Sequence, residues 1–127
     1  MEAEQLVSGL WRDMHDQAWD KIAGYYSEMA VIRVHDTNEQ FTLEEFVSMN
    51  RSIPGGGWSV DVERLERAGD IVVSVARLTP KEDLDTNFVV SFFEVQDGKI
   101  VKQDDYWGVY GSPEEWRAGT PIGKPFR

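Results

Sequence analysis

The chain has 127 residues, of which 41% are hydrophobic and 12% aromatic, and its formal net charge is −10. This length fits one domain with a real core, so residues 1–127 are predicted to form a single domain. The acidic balance argues against binding to nucleic acid or to anionic membrane surfaces, because both are recognised through clusters of Lys and Arg.

The sequence contains no cysteine, which excludes disulfides, thiolate metal sites and thiol nucleophiles. Its first residues include two acids and lack the apolar centre of a signal peptide. No apolar run approaches the roughly 18 residues that a membrane helix needs. A cytoplasmic protein without membrane contacts is therefore expected.

Three helices and one strand are predicted in the first half of the chain. Apolar residues recur at helical spacing between Glu2 and Asp16, and Asp16 is placed to cap a second, short helix. The apolar residues assigned to that second helix are Trp19, Ile22, Ala23 and Tyr26. Alternation predicts a strand from Ala30 to Asp36, and the pair Thr42 and Glu45 has the spacing of a capping box for a third helix.

The second half of the chain predicts strands. The third helix should stop before Pro54, and Gly55–Gly57 should form a loop at a cavity rim. Four strands are expected at about 58–64, 71–78, 87–95 and 99–109. Asp97–Gly98 indicates a tight hairpin turn. Ser112–Pro113 should begin a last short helix, which Gly119 can end.

This order predicts an α+β domain in which N-terminal helices pack on a curved antiparallel sheet around a pocket. The strands are apolar on both faces. If Val73, Val89 and Phe93 face the pocket, then Val72, Val90 and Phe92 face away from it. We therefore expect a homodimer formed sheet to sheet.

Two segments carry a family resemblance. The stretch FEVQDGKIVKQDDYWGVYG, with its D-G-K-I hairpin and Y-W pair, is similar to the NTF2-like superfamily. The stretch IRVHDTNEQFTLEEF and the tail IGKPF resemble small stand-alone bacterial SnoaL-like proteins. The resemblance implies the cone-shaped, cystatin-like fold. It implies little about function, because this fold carries isomerases, dehydratases, epoxide hydrolases, cyclases and binding proteins.

The triad of ketosteroid isomerase, a base Asp with an oxyanion hole of Tyr and protonated Asp, is not expected in this chain. A rough match places Leu10 at the Tyr position, Ser91 at the oxyanion Asp position and Val34 near the base. The isomerase activity is therefore not carried over.

Asp105 is the first candidate for catalysis. If the Y-W pair points Trp107 into the pocket, alternation also points Gln103 and Asp105 inward. A carboxylate among rings loses hydration and its pKa rises, as for a general base. SnoaL-like cyclases are similar in using an Asp of a late strand. The alternatives are that Asp104 faces inward while Asp105 is solvated, or that Asp105 forms a structural ion pair.

Three further polar residues are candidates for supporting roles. His35 or Ser91 could assist Asp105 by hydrogen bonding, although His35 and Asp36 can equally be turn and edge residues. Arg77, in an otherwise apolar strand, could meet a pocket carboxylate or an anionic substrate, or could bond an acid at the sheet margin.

Aromatic residues are expected to line part of the pocket. Trp58, Phe93 and Trp107 are the candidate ligand-binding rings, and a ring-lined pocket favours a small apolar molecule. With two histidines that lack ligand spacing and no phosphate loop, no metal and no cofactor are predicted. The sequence leaves open a cofactor-free SnoaL-like enzyme of isomerase, cyclase or dehydratase type, a non-catalytic binding protein and a dimeric protein-association domain.

Overall fold

The structure, a computed structural model, describes residues 2–54, 57–80 and 86–126. Its helices are α1 (Ala3–His15), α2 (Trp19–Ile22) and α3 (Leu43–Arg51), with single 3₁₀ turns at Ala23–Tyr25 and Glu115–Arg117. Its strands are β1 (Tyr26–Val34), β2 (Glu39–Thr42), β3 (Trp58–Ala68), β4 (Ile71–Pro80), β5 (Asn87–Gln96) and β6 (Lys99–Val109). No helix in the described ranges is long and apolar enough to cross a membrane.

The six strands form one sheet in the order β2-β1-β6-β5-β4-β3. Helices on a curved sheet were predicted, and this α+β architecture is confirmed. The sheet, predicted as antiparallel, is mixed, because β1 and β6 pair in parallel while the other neighbouring strands pair antiparallel. These two strands are far apart in sequence, so no hairpin dictates their relative direction, whereas the connections between β3, β4, β5 and β6 impose antiparallel pairing.

Several predicted boundaries differ from those observed. The second helix ends early, and Tyr26 begins β1 instead of belonging to that helix. β1 ends at Val34, two residues before the predicted end, and β2 was not predicted. Asp16 ends α1 instead of capping α2. The last predicted helix is a single 3₁₀ turn. Gly55, Gly56 and the loop residues 81–85 lie outside the described residues.

Helix α1 covers the inner face of the sheet. Its predicted apolar stripe is buried, namely Leu6, Val7, Leu10, Trp11 and Met14. The Trp11 ring meets Phe93 edge to face with centroids 6.4 Å apart, and its Nε1 donates a hydrogen bond to Ser74 Oγ at 3.0 Å. The inner face is therefore mainly apolar and closely filled beneath α1.

Pairing between β4 and β5 decides which side chains face α1. Val72 is opposite the buried Phe93, so Val72 faces inward and Val73 outward. The predicted orientation of Val72 and Val73 was wrong, whereas the inward orientation of Val89 and Phe93 is confirmed. The hairpin turn is confirmed as well, because Asp97 and Gly98 both have positive φ, 51° and 75°.

Candidate functional site

A group of polar side chains lies buried on the inner face between β5 and β6. Ser91, Gln103 and Asp105 are 0%, 2% and 3% exposed. Ser91 is directly opposite Asp105 across the two strands. The predicted alternation of β6, which turns Gln103 and Asp105 inward, is therefore confirmed, and Asp104 faces the opposite side.

Both carboxylate oxygens of Asp105 accept hydrogen bonds. Ser91 Oγ donates to its Oδ1 at 2.7 Å, and Gln103 Nε2 lies 3.0 Å from both carboxylate oxygens. The amide oxygen of Gln103 accepts a hydrogen bond from the hydroxyl of Tyr26. Tyr26, Gln103, Asp105 and Ser91 thus form one continuous buried network.

Burial sets the protonation behaviour of this network. It raises the pKa of Asp105 from 3.8 to about 6, although the hydrogen bonds from Ser91 and Gln103 act in the opposite direction. Burial, followed by the charge of Asp105, raises the pKa of the Tyr26 phenol well above its ordinary value. Tyr26 therefore remains a donor, while Asp105 changes charge close to neutral pH.

A cavity of about 430 Å³ opens next to this network, and we call it the cone-mouth pocket. Its walls are mainly apolar and come from the turn after β1, β2, the end of α3, and the ends of β3, β5 and β6. The lining residues are Val34, Asp36, Thr37, Glu39, Phe41, Met49, Asn50, Ile53, Trp58, Asn87, Trp107, Gly108 and Val109.

Two tryptophan rings dominate the cone-mouth pocket. The centroids of Trp58 and Trp107 are 5.6 Å apart, with an angle of 37° between the ring planes. Asp36 Oδ1 accepts a hydrogen bond from the backbone N–H of Trp107 at 3.2 Å, which ties the turn after β1 to β6. Both predicted tryptophans are thus brought to one cavity.

Asp105 lies beneath the pocket and does not line it. Val34, which lines the pocket, is its neighbour across the parallel pair of β1 and β6. Trp107 follows two residues later on the same face of β6. The buried carboxylate is therefore next to two residues of the pocket wall but does not open into the cavity.

Three predicted site residues lie elsewhere. His35 is on the outer face of the sheet, where its ring stacks on Tyr106 at 4.2 Å and its Nε2 lies 2.7 Å from Asp104 Oδ1. Asp36, and not His35, reaches the pocket, because the turn begins directly after Val34.

Arg77 is also on the outer face and is therefore not an ion-pair partner for Asp105. Its guanidinium lies 4.8 Å from the centre of the Tyr110 ring and 3.8 Å from Glu63. Phe93 faces inward as predicted but packs against Trp11 in the core instead of lining the pocket.

A second depression, of about 480 Å³, lies between α3 and the 3₁₀ turn at Ala23–Tyr25. Leu43, Val47 and Arg51 are among its lining residues, and none of the buried polar network reaches it. Among the described residues, no three His, Asp or Glu side chains are grouped to hold a metal ion. We therefore take the cone-mouth pocket, with the network below it, as the candidate site.

Comparisons with known proteins agree with this geometry. The family model of the SnoaL-like domain matches residues 7–103. A candidate ketosteroid isomerase from Kribbella flavida has 24% sequence identity and a TM-score of 0.81, with 96% of this chain and 89% of that chain covered. No curated protein matches the chain in sequence.

Two other solved structures illustrate the range of activities on this fold. An LEH-like epoxide hydrolase from M. tuberculosis has 19% identity and a TM-score of 0.71, covering 84% of this chain and 82% of that chain. IdmH, a candidate polyketide cyclase from Streptomyces antibioticus, has 12% identity and a TM-score of 0.71, covering 84% and 92%. At these identities the likeness shows the fold and not the reaction.

Proposed function

The chain belongs to the SnoaL-like domain family, and from that premise we propose that it binds a small, largely apolar molecule in the cone-mouth pocket. One observation carries this proposal: two tryptophan rings face a mainly apolar cavity of about 430 Å³. Cavities of this size and lining are typical of small-molecule sites. A few polar side chains at the rim would fix the orientation of the bound molecule.

Tryptophan fluorescence tests this proposal. Titration with a panel of apolar ring compounds should change the emission saturably, because Trp58 and Trp107 contact the occupant. Trp107→Ala should weaken binding by about tenfold or more, as expected when a large ring contact is lost. Trp116→Ala is the matched control, since Trp116 is 81% exposed and does not line the pocket. No saturable response to any compound would refute the proposal.

A second candidate function is cofactor-free catalysis of isomerase, cyclase or dehydratase type with Asp105 as general base. The observation that favours it is a buried carboxyl with a pKa of about 6 next to Val34, a residue of the pocket wall. Ser91 would assist by its hydrogen bond to Oδ1. Access would require the pocket wall to open near Val34 or Trp107, since Asp105 does not line the cavity and these two neighbours do.

Proton abstraction can be measured without knowing the substrate. Carbonyl compounds that bind the pocket should exchange their acidic C–H hydrogens in D₂O in the presence of the wild-type protein, followed by NMR. Asp105→Asn should abolish this exchange while binding persists. Exchange at equal rates in both proteins would exclude Asp105 as the base and leave the binding function.

We also propose a homodimer that buries the outer face of the sheet. Phe92 and Tyr106 are 41% and 43% exposed there, their rings lie 6.0 Å apart, and half-buried Val73, Val75 and Val90 surround them. An apolar patch of this kind is typical of a contact surface.

Sedimentation equilibrium at micromolar concentration should give twice the chain mass. Phe92→Glu should shift the protein to monomer, because a charge would be buried without a partner. Met29→Glu is the control, since Met29 is 85% exposed where the pairing of β1 with β6 is interrupted. A wild-type protein that is monomeric throughout would refute the dimer.

A further inference from the structure

The polar side chains of the cone-mouth pocket are unbalanced in charge. Asp36 and Glu39 contribute two carboxylates, and the described lining contains no Lys, Arg or His. Asn50, Asn87 and Thr37 are the remaining polar residues. An anionic occupant would therefore meet two negative charges and no compensating cation, which is unfavourable in a partly closed cavity.

The hydrogen bonds of the lining leave acceptors unused. Asn50 is 9% exposed, and its Nδ2 donates a hydrogen bond to the backbone oxygen of Phe46 at 2.8 Å. Its Oδ1 has no hydrogen-bond partner among the described residues, so it can accept a hydrogen bond from a bound molecule. Asp36 uses only Oδ1, for the N–H of Trp107, and the carboxylate of Glu39 is bonded to no side chain in the described ranges.

The tryptophan rings of the pocket also favour a positively charged ligand. The face of an indole ring is electrostatically negative and attracts a cation within about 6 Å of its centre. Trp58 and Trp107 both line the cavity, and their ring centroids are 5.6 Å apart, so a cationic group in the cavity is close to both rings. Acceptors, carboxylates and ring faces thus all favour a positively charged donor.

From these features we infer that the cone-mouth pocket is selective for an organic cation, an amine or quaternary ammonium compound with an apolar body. The inference rests on the proposed function and names its ligand class. The ammonium group lies against Trp58 and Trp107 with Asp36 and Glu39 at its outer side. Asn50 Oδ1 accepts a hydrogen bond where the ligand carries an N–H or O–H.

Choline and 3,3-dimethylbutan-1-ol test this selectivity, because they have the same shape and differ in charge. Isothermal titration calorimetry with each compound should show choline binding at least about tenfold more tightly, the ratio expected for a partly desolvated cation at aromatic rings. Glu39→Gln and Asp36→Asn should each reduce the ratio. Glu66→Gln removes the same charge at an exposed site paired with Arg64, outside the pocket, and should leave the ratio unchanged.

The outcomes separate the ligand class from the binding function itself. Equal binding of the two compounds, or tighter binding of the alcohol, overturns the charge selectivity but keeps the pocket as a binding site. The same conclusion follows if neither compound binds while the apolar panel changes tryptophan emission, or if Glu66→Gln lowers the ratio as much as Glu39→Gln does. If neither compound binds and the panel also fails, both proposals are refuted.

Discussion

The free energy of unfolding should fall by about 3 kcal/mol between about pH 3 and pH 8 through Asp105 alone, and Asp105→Asn should remove this fall. The pKa of Asp105 rises from 3.8 to about 6 on folding, and each unit corresponds to about 1.4 kcal/mol. Between these two values the folded protein binds more protons than the unfolded chain, so stability decreases as pH rises. The contribution is fully present below the unfolded pKa and is lost as pH rises through the folded pKa.

Urea unfolding at a series of pH values measures this effect as the difference between wild-type and Asp105→Asn. Asp61→Asn is the control, because Asp61 is exposed on β3 and its substitution should leave the pH dependence as in the wild-type protein. If Asp105→Asn and wild-type show parallel pH profiles, Asp105 does not ionise in a buried environment, and the catalytic candidate loses its base.

The orientation of β6 could be predicted because the Y-W pair of the family resemblance places Trp107 in the pocket. Gln103, Asp105 and Trp107 share one parity, so placing a single ring in the pocket placed the other two side chains. Ser91 was a candidate from the family comparison, and the observed pairing of β5 with β6 puts it opposite Asp105. The sequence thus predicted that Asp105 faces inward, whereas its position opposite Ser91 is known only from the pairing of β5 with β6.

The orientation of β4 could not be predicted in the same way. Most of its residues are β-branched or apolar on both faces, so the sequence pattern does not indicate which face is the inner one. The pairing of Val72 with the buried Phe93 on β5 decides this. Arg77 takes its outer position from the same register. The sequence therefore could not show whether Arg77 faces the pocket or the opposite face of the sheet.

Tyr26 and Asn50 were missed for different reasons. Tyr26 fits the helical spacing of Trp19 and Ile22, and only the early start of β1 turns its side chain toward Gln103. Asn50 is near the end of α3, where a polar residue usually indicates a solvated face. Its burial depends on how α3 packs against the sheet, which is information that helix propensity does not contain.

Tyr26→Phe should destabilise the protein by about 1–3 kcal/mol and raise the pKa of Asp105 further. The substitution removes the hydroxyl that donates to Gln103, which leaves a buried amide oxygen without its partner. That hydroxyl also orients the Gln103 amide, so that its NH₂ group faces both oxygens of Asp105. With the orientation relaxed, the carboxylate loses hydrogen bonds that favour its charged form, and the neutral acid is favoured.

Tyr25→Phe separates this effect from a general loss of stability. Tyr25 also donates its hydroxyl to a buried carboxylate, that of Asp13, but it takes no part in the Asp105 network. NMR titration of the Asp carboxyl carbons should show the Asp105 midpoint shifted upward in Tyr26→Phe and unchanged in Tyr25→Phe. If the midpoint is unchanged in both variants, then the hydrogen bonds to Asp105 orient the Gln103 amide without help from Tyr26. Tyr26 would in that case fill space in the core and have no part in setting the charge of Asp105.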